Sequence, residues 1–197
     1  MSRPSSTLSQ RHSDLTEGLI LAAAIDLLEH SSVGELTVGS VAERANISSR
    51  TIFRYFPTRD EFLGAIAAEA IRGMNLPPHP VSLEQLLDMP RALYRAFEAR
   101  TNLVKAALHS ELFDRIRSAP AQQRWLAVGK LLDQHAPKAT PRERKLATAN
   151  IRFFLSATTW HYYRFYFGFS PSDTVAAAEI AIRQALAGVG VKIPTAK

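Results

Sequence analysis

The stretch ELTVGSVAERANISSRTIFRYFPTRDEFL, residues 35–63, decides the reading of this 197-residue chain. It sets two very short apolar-periodic segments side by side, parts them with Asn46-Ile47-Ser48, and starts a third after Pro57. Thr37 suits the cap of a helix from 38 to about 45, its hydroxyl accepting from an otherwise unpaired backbone N–H, and Ser48 suits the cap of one over 49–56. Asn46 lies between them and is one of the few non-glycine residues that tolerates a left-handed turn. Thr58 and Glu61 form a capping box that opens a helix running to about Gly73.

At about 100° per residue from Ser49, the residues Ile52, Phe56 and Phe53 cluster on one side of the second helix, and Arg50, Arg54, Thr51 and Tyr55 on the other. The first side is expected to pack and the second to carry hydrogen-bonding groups. On the preceding helix Val38, Val41, Ala42 and Ala45 share a face, the small alanines permitting close approach. Two short helices docked on a shared core make a helix-turn-helix. The second, roughly 12 Å long, suits a DNA major groove about 12 Å across. Arginine's planar fork pairs with guanine O6 and N7, and Ser49 or Thr51 suits base edges or phosphate. Tyr55 would reach phosphate, and Arg59 with the free N–H groups of the next helix makes a phosphate clamp. From periodicity alone, a plain solvated face explains these polar residues equally well.

Composition narrows the classes. A hydrophobic content of 46% with 21% charged residues is ordinary for a soluble globular protein. The lack of cysteine excludes disulfides, thiol catalysis and cysteine-ligated zinc, and suits a reducing cytoplasm. The opening MSRPSSTLSQRHSDL has no secretory apolar run, and no stretch approaches the roughly 18 apolar residues of a membrane span. A cytoplasmic protein with a flexible leader over 1–12 and no membrane partner is expected. Net charge +6 favours polyanionic partners, yet residues 1–60 hold six arginines, no lysine and seven acids, so the excess lies later. Locally, Arg44, Arg50, Arg54 and Arg59 fall in a run with no acid.

Outward from that run, LILAAAIDLLEH fits an amphipathic helix over about 14–30, closed by a turn at Gly34. After the proline-rich NLPPHP, helical patterns resume at 82–100, 102–117 with room for a break, 120–135, 141–167 and 171–187. The chain reads as all-α, a small amino-terminal domain followed by a larger helical one. In the last helix Ser170 caps, Pro171 takes the first position, Asp173 lies in the first turn and Gly188 follows the end. Its only polar stripe is Glu179, Arg183 and Gln184, so it needs cover from its own domain and from a partner. The aromatics of TWHYYRFYFGF just before it supply interface-like contact area, unless they finish an internal core.

Taken together, TVGSVAERANISSRTIFRYFPTRDEFL, preceded at a fitting distance by LILAAAIDLLEH, resembles the TetR family of transcriptional regulators. The likeness covers roughly residues 15–70, and the remainder resembles the family only in length and helical layout. It implies a helix-turn-helix DNA-binding domain over 13–57, a connecting helix over 58–73, and a helical effector-binding and dimerisation domain over 74–197. By resemblance, Ser49, Arg50 and Thr51 face bases, Phe53 and Tyr55 touch backbone, and Arg59 is the clamp; Thr37, Ser48 and Arg54 complete the DNA-binding set. Asn46 replaces the usual turn glycine. Phe53 replaces a common tyrosine, a lost hydroxyl for which Arg54 compensates.

The resemblance also implies a homodimer through the last two long helices, with Tyr163, Phe167, Val175, Ala178, Ala181, Ile182 and Ala185 at the interface. It implies a cavity among the later helices, for which Met89, Leu93, Phe97, Trp125, Phe153, Phe154 and Trp160 are candidate lining, though each also reads as plain core. Few charges interrupt the apolar patterns, which favours an apolar or aromatic effector. An enzyme is not expected: His109 with Glu111, and His161 among tyrosines, lack the HExxH spacing, and no phosphate loop or nucleophile elbow occurs. No cofactor or metal is expected. The expected function is a repressor released from its double-stranded DNA operator by a small molecule. A DNA-bound architectural protein without effector and a helical enzyme that uses the motif for packing are the alternatives.

Overall fold

The computed structural model describes residues 8–30, 36–118 and 121–193, and every regular element among them is helical. α1 (Leu8–His30) leads to the short pair α2 (Val38–Arg44) and α3 (Ser49–Tyr55), then to α4 (Arg59–Gly73). Beyond a linker follow α5 (Leu83–Ala99), α6 (Thr101–Leu108), α7 (Phe113–Ser118), α8 (Ala121–His135), α9 (Pro141–Phe154), α10 (Ala157–His161), one π-helical turn (Tyr162–Tyr166) and α11 (Pro171–Gly188). Of the leader expected over 1–12, residues 8–12 belong to α1, where Gln10 Nε2 donates to Asp14 Oδ1 one turn on at 3.1 Å, and residues 1–7 lie outside the described residues. Gly34 and Pro120 lie outside the described residues.

Local chemistry fixes the short helices. Thr37 Oγ1 accepts from the Ser40 N–H at 3.0 Å while Ser40 Oγ accepts from the Thr37 N–H at 3.0 Å, a reciprocal box that satisfies two donors at the head of α2. At its other end Ile47 N–H donates to the Ala42 carbonyl and Asn46 N–H to the Glu43 carbonyl, with Asn46 at φ 53°. That is a Schellman ending, in which the left-handed residue turns the chain back and Ile47 packs on the core. Ser48 Oγ then accepts from the Thr51 N–H at 3.1 Å and starts α3.

Isolated helices of seven residues do not hold in water, so α2 and α3 depend on burial. Ile20 and Ala24 of α1, Val41 of α2, Ile52 of α3 and Ile66 of α4 are wholly buried and belong to one continuous cluster that extends to Leu186 and Val191. α1 packs on α2 and α4 and also on α6, and α4 packs on α7. The amino-terminal unit therefore has no separate core.

The helix expected over 141–167 is interrupted. α9 ends at Phe154, and Ser156, in extended conformation, caps α10 by accepting from the Thr159 N–H at 3.2 Å. Side chains satisfy the carbonyls released there: Tyr94 Oη donates to the Phe154 carbonyl and Thr159 Oγ1 to the Phe153 carbonyl, both at 2.6 Å. The π turn follows, closed by the Phe167 N–H donating to the Tyr162 carbonyl at 3.0 Å. Glu98 holds this region, its Oε1 accepting from Trp160 Nε1 at 2.9 Å and from Arg164 Nε at 2.5 Å. At the end of α11 the left-handed residue is Gly190, at φ 78°, while Gly188 is still helical. Among the described residues no helix is long and apolar enough to cross a membrane.

Two predictions follow from this geometry. Asn46→Ala should cost about 1 kcal/mol in denaturant unfolding, because alanine loses the local bonding that lets asparagine hold a left-handed turn. His161 stands edge-on to His109, ring centroids 5.1 Å apart, and burial first, then His109 and Lys105, hold its pKa below 6.5. The unfolded chain then binds the proton more readily than the native one, so stability falls as pH drops through about 6.5 towards the lower folded value. His161→Gln should flatten that slope in melts recorded between about pH 7.5 and 5; an unchanged slope would assign it to other groups.

Candidate nucleic-acid interface

The buried arc of α3 is displaced from the one expected. Ile52 and Phe56 are buried and Thr51 and Tyr55 half-buried, whereas Phe53 is 51% exposed and shares the outward arc with Ser49, Arg50 and Arg54. Phe53 sits at the edge of the apolar sector, while Phe56 and Phe62 are buried against each other with centroids 5.6 Å apart. The result is an outward strip carrying two cations, one aromatic ring and one hydroxyl.

Several expected site residues also have structural partners. Ser48 Oγ lies 2.9 Å from Thr51 Oγ1, and Thr37 is engaged in its box. The hydroxyls of Thr16 and then Ser13 on α1, together with Arg54, draw the pKa of Tyr55 below the ordinary 10.0. The Arg54 guanidinium lies 5.3 Å from the Tyr55 ring centroid. Arg44 pairs with Asp26 across to α1. Arg59, at the head of α4, is paired with Glu111 at 2.5 Å, and its neighbour Asp60 with Arg115 at 2.6 Å. These two bonds bind the start of α4 to the α6–α7 corner. Sequence reading gave no sign of them, since long-range pairing leaves no periodic trace.

The other candidates are scattered. Met89, Leu93 and Phe97 are buried on α5, and Phe97 packs against the fully buried Trp160 with centroids 5.6 Å apart. Phe154 is half-buried and meets Phe153 edge-on, while Phe153 and Trp125 are at the surface. None of the seven borders the open recess of about 310 Å³ between α1 and the α5–α6 corner, which is lined by polar residues including Glu29, Arg100 and Asn102.

On α11 the inward stripe is Thr174, Ala178, Ile182 and Leu186, packed on α5 and α9. Ala178 and Ile182, expected at a dimer interface, are thus consumed by the protomer's own core. Val175, Ala181, Ala185 and Tyr163 are half-buried, and Phe167 is exposed. The outward stripe is Ala176, Ile180, Gln184 and Ala187, with Ile180 57% exposed. α9 has a matching outward stripe of Leu146, Ala149 and Phe153, and Tyr162, Tyr166 and Phe167 are exposed on the π turn between them.

The family described as bacterial regulatory proteins, tetR family, matches residues 20–66, which span most of α1 through α4. An uncharacterised HTH-type transcriptional regulator of Mycobacterium tuberculosis is 30% identical over 90 residues, 45% of this chain and 45% of that protein. The chain thus spans less than half the length of the mycobacterial relatives it matches. The HTH-type transcriptional repressor KstR of Rhodococcus jostii is 30% identical over 142 residues, 67% of this chain and 65% of that protein. In fold, the chain resembles the crystal structure of Mycobacterium smegmatis BioQ, with a TM-score of 0.60 at 17% identity, covering 86% of this chain and 95% of that one. It also resembles a TetR transcriptional regulator from Rhodococcus sp. RHA1, with a TM-score of 0.52 at 19% identity over 90% of this chain and 98% of that one. Residues 20–66, which hold the helix-turn-helix, are thus similar to the TetR family, and the all-helical architecture of the described residues is that of these solved structures.

Proposed function

We propose that the chain is a homodimeric transcriptional regulator of the cytoplasm that binds duplex DNA by sequence and represses until a small molecule releases it. The outward arc of α3 carries this reading: Ser49, Arg50, Phe53 and Arg54 are exposed together on a helix whose opposite side is locked into the core. A helix of seven residues is roughly 10 Å long and enters a major groove end-on. Arg50 reads a base edge, Ser49 and Thr51 stand at the entering end, and Phe53 and Arg54 lie along the sugar-phosphate wall. Thr37, Ser48 and Tyr55 contribute at the rim, where their present bonds also fix the helix. Arg59 exchanges Glu111 for a phosphate; an ion pair this exposed is worth only about 0–1 kcal/mol, so the exchange costs little. Repression is favoured by the relative named as a repressor.

The apolar outward stripes of α9 and α11, joined by the exposed rings of the π turn, support dimerisation by pairing these helices with their copies about a two-fold axis. The two copies of α3 would then meet half-sites about one turn apart on a partly palindromic operator. The effector acts through α4, which starts beside the DNA-facing strip and packs on α7. Its differential affinity for two placements of α4 sets the response, and operator and effector weaken each other equally, commonly by about 1–3 kcal/mol.

Selection from random duplexes at moderate salt should enrich a partly palindromic motif. Arg50→Ala should relax one position in each half-site at a cost of about 1–3 kcal/mol. Recovery of no motif would leave a structural protein as the better reading. For the dimer, Ile180→Glu should give monomers by light scattering, because a carboxylate buried against its copy has no partner. An intact dimer in that variant would move the interface off α11.

A further inference from the structure

Of the four side chains on the outward strip of α3, Phe53 alone can form no hydrogen bond. It is 51% exposed, whereas Phe56 is buried against Phe62 and Tyr55 packs on the core. Phe53 belongs neither to the core cluster nor to the half-buried apolar residues packed around it, and the Arg54 guanidinium lies over the Tyr55 ring rather than over Phe53. Counted at about 100° per residue from Ser49, Phe53 falls at roughly 40° and Arg50 at roughly 100°, with Ser49 and Arg54 at the two edges of the exposed arc. The ring and the Arg50 fork therefore share the middle of the face that α3 turns away from the protein.

Groove chemistry limits what such a ring can recognise. The major-groove edges of the base pairs offer hydrogen-bond donors and acceptors and a single apolar group, the C5-methyl of thymine. A ring set against a donor or acceptor strips water from it and supplies no bond in return, so it penalises edges that present only polar groups. Set against the methyl, it buries apolar surface on both partners. That methyl projects at the edge of the groove beside its own strand. Phe53 follows Ser49 by about one turn, roughly 6 Å along the axis, so a helix entering end-on carries the ring towards the groove wall where the methyl stands. Arg50 and Arg54 supply the attraction to phosphate that the ring lacks, so charge brings this face to DNA and the ring sorts the bases. A tyrosine at this position would hold a hydroxyl out to phosphate; Phe53 has only its ring to offer.

We propose that Phe53 is a specificity residue that selects a thymine in each half-site through its C5-methyl group, beside the base pair read by Arg50. The proposal rests on the reading of α3 as the helix that enters duplex DNA. It adds to that reading a base preference that arginine contacts alone do not create, and it makes the complex sensitive to one methyl group in each half-site.

The test uses the full chain and the duplex enriched from the random pool, with deoxyuridine replacing thymine at one symmetric pair of positions at a time. Uracil keeps every hydrogen bond of thymine and loses only the methyl. One such pair, beside the position that Arg50→Ala relaxes, should weaken binding on the order of tenfold, the loss of two buried methyl groups. Phe53→Ala should lose a similar factor on the thymine duplex and bind its uracil version equally well. It should also keep the wild-type salt slope, since no charge is removed. Its thermal midpoint should match that of the wild type, because the ring lies outside the core. If Phe53→Ala proves unstable, Phe53→Gln decides by the same comparison, and the uracil measurements on the wild type stand in either case. Uracil duplexes all bound as tightly as the thymine duplex by the wild type would overturn the proposal. So would a preference for thymine over uracil that survives in the variants, which would give the methyl to another residue and leave the ring on the sugar-phosphate wall. A chain that enriches no motif refutes the DNA-reading helix and the role of Phe53 with it; one that enriches a motif yet ignores the methyl refutes that role alone.

Discussion

The burial of Ile52 in the core shared with α1, α2 and α4 is the contact on which the outward strip of α3 depends. α3 is too short to persist alone, and Ile52 is its one fully buried residue within the helix. Once it is seated, the remaining orientations follow from helical geometry: Phe56 is drawn in behind it, Tyr55 is set against α1, and Ser49, Arg50, Phe53 and Arg54 are turned out. The polar face is thus a consequence of where one isoleucine goes.

The same economy governs how this end joins the remainder. The apolar contacts of α1 with α6 and of α4 with α7 belong to one continuous core, so the two regions move only by shifting shared packing. Around that seam lie ion pairs that cross it, Arg59 to Glu111, Asp60 to Arg115 and Arg100 to Glu29. The first two keep substantial solvent access, so each adds little to stability, whereas the pair of Arg100 and Glu29 is part-buried.

At the far end, the break between α9 and α10 replaces a long rod with two arms and a π turn. Glu98 anchors that turn through Trp160 and Arg164, and the exposed rings of Tyr162, Tyr166 and Phe167 are pushed outward by it. The bond from Arg124 Nη2 to the Arg117 carbonyl lies where α7 gives way to α8. Both features are built at helix termini, where the regular pattern stops protecting the backbone and side chains take over its bonding.

The sequence by itself determined what depends on near neighbours in the chain. The caps at Thr37, Ser48 and Thr58, the left-handed turn at Asn46 and the all-helical class are written in spacings of three or four residues, over which helical bonding acts. Tertiary structure decided what depends on which helix meets which. It moved Phe53 from packing face to outer face, gave Ala178 and Ile182 to the protomer's own core, and left Ile180 exposed. It ended α9 at Phe154, where Tyr94, remote in the chain, takes a freed carbonyl. It also paired Arg59 with Glu111. A helical period shows that a stripe will be buried but not how wide its cover is, and charges far apart in sequence acquire partners only when the fold brings their elements together.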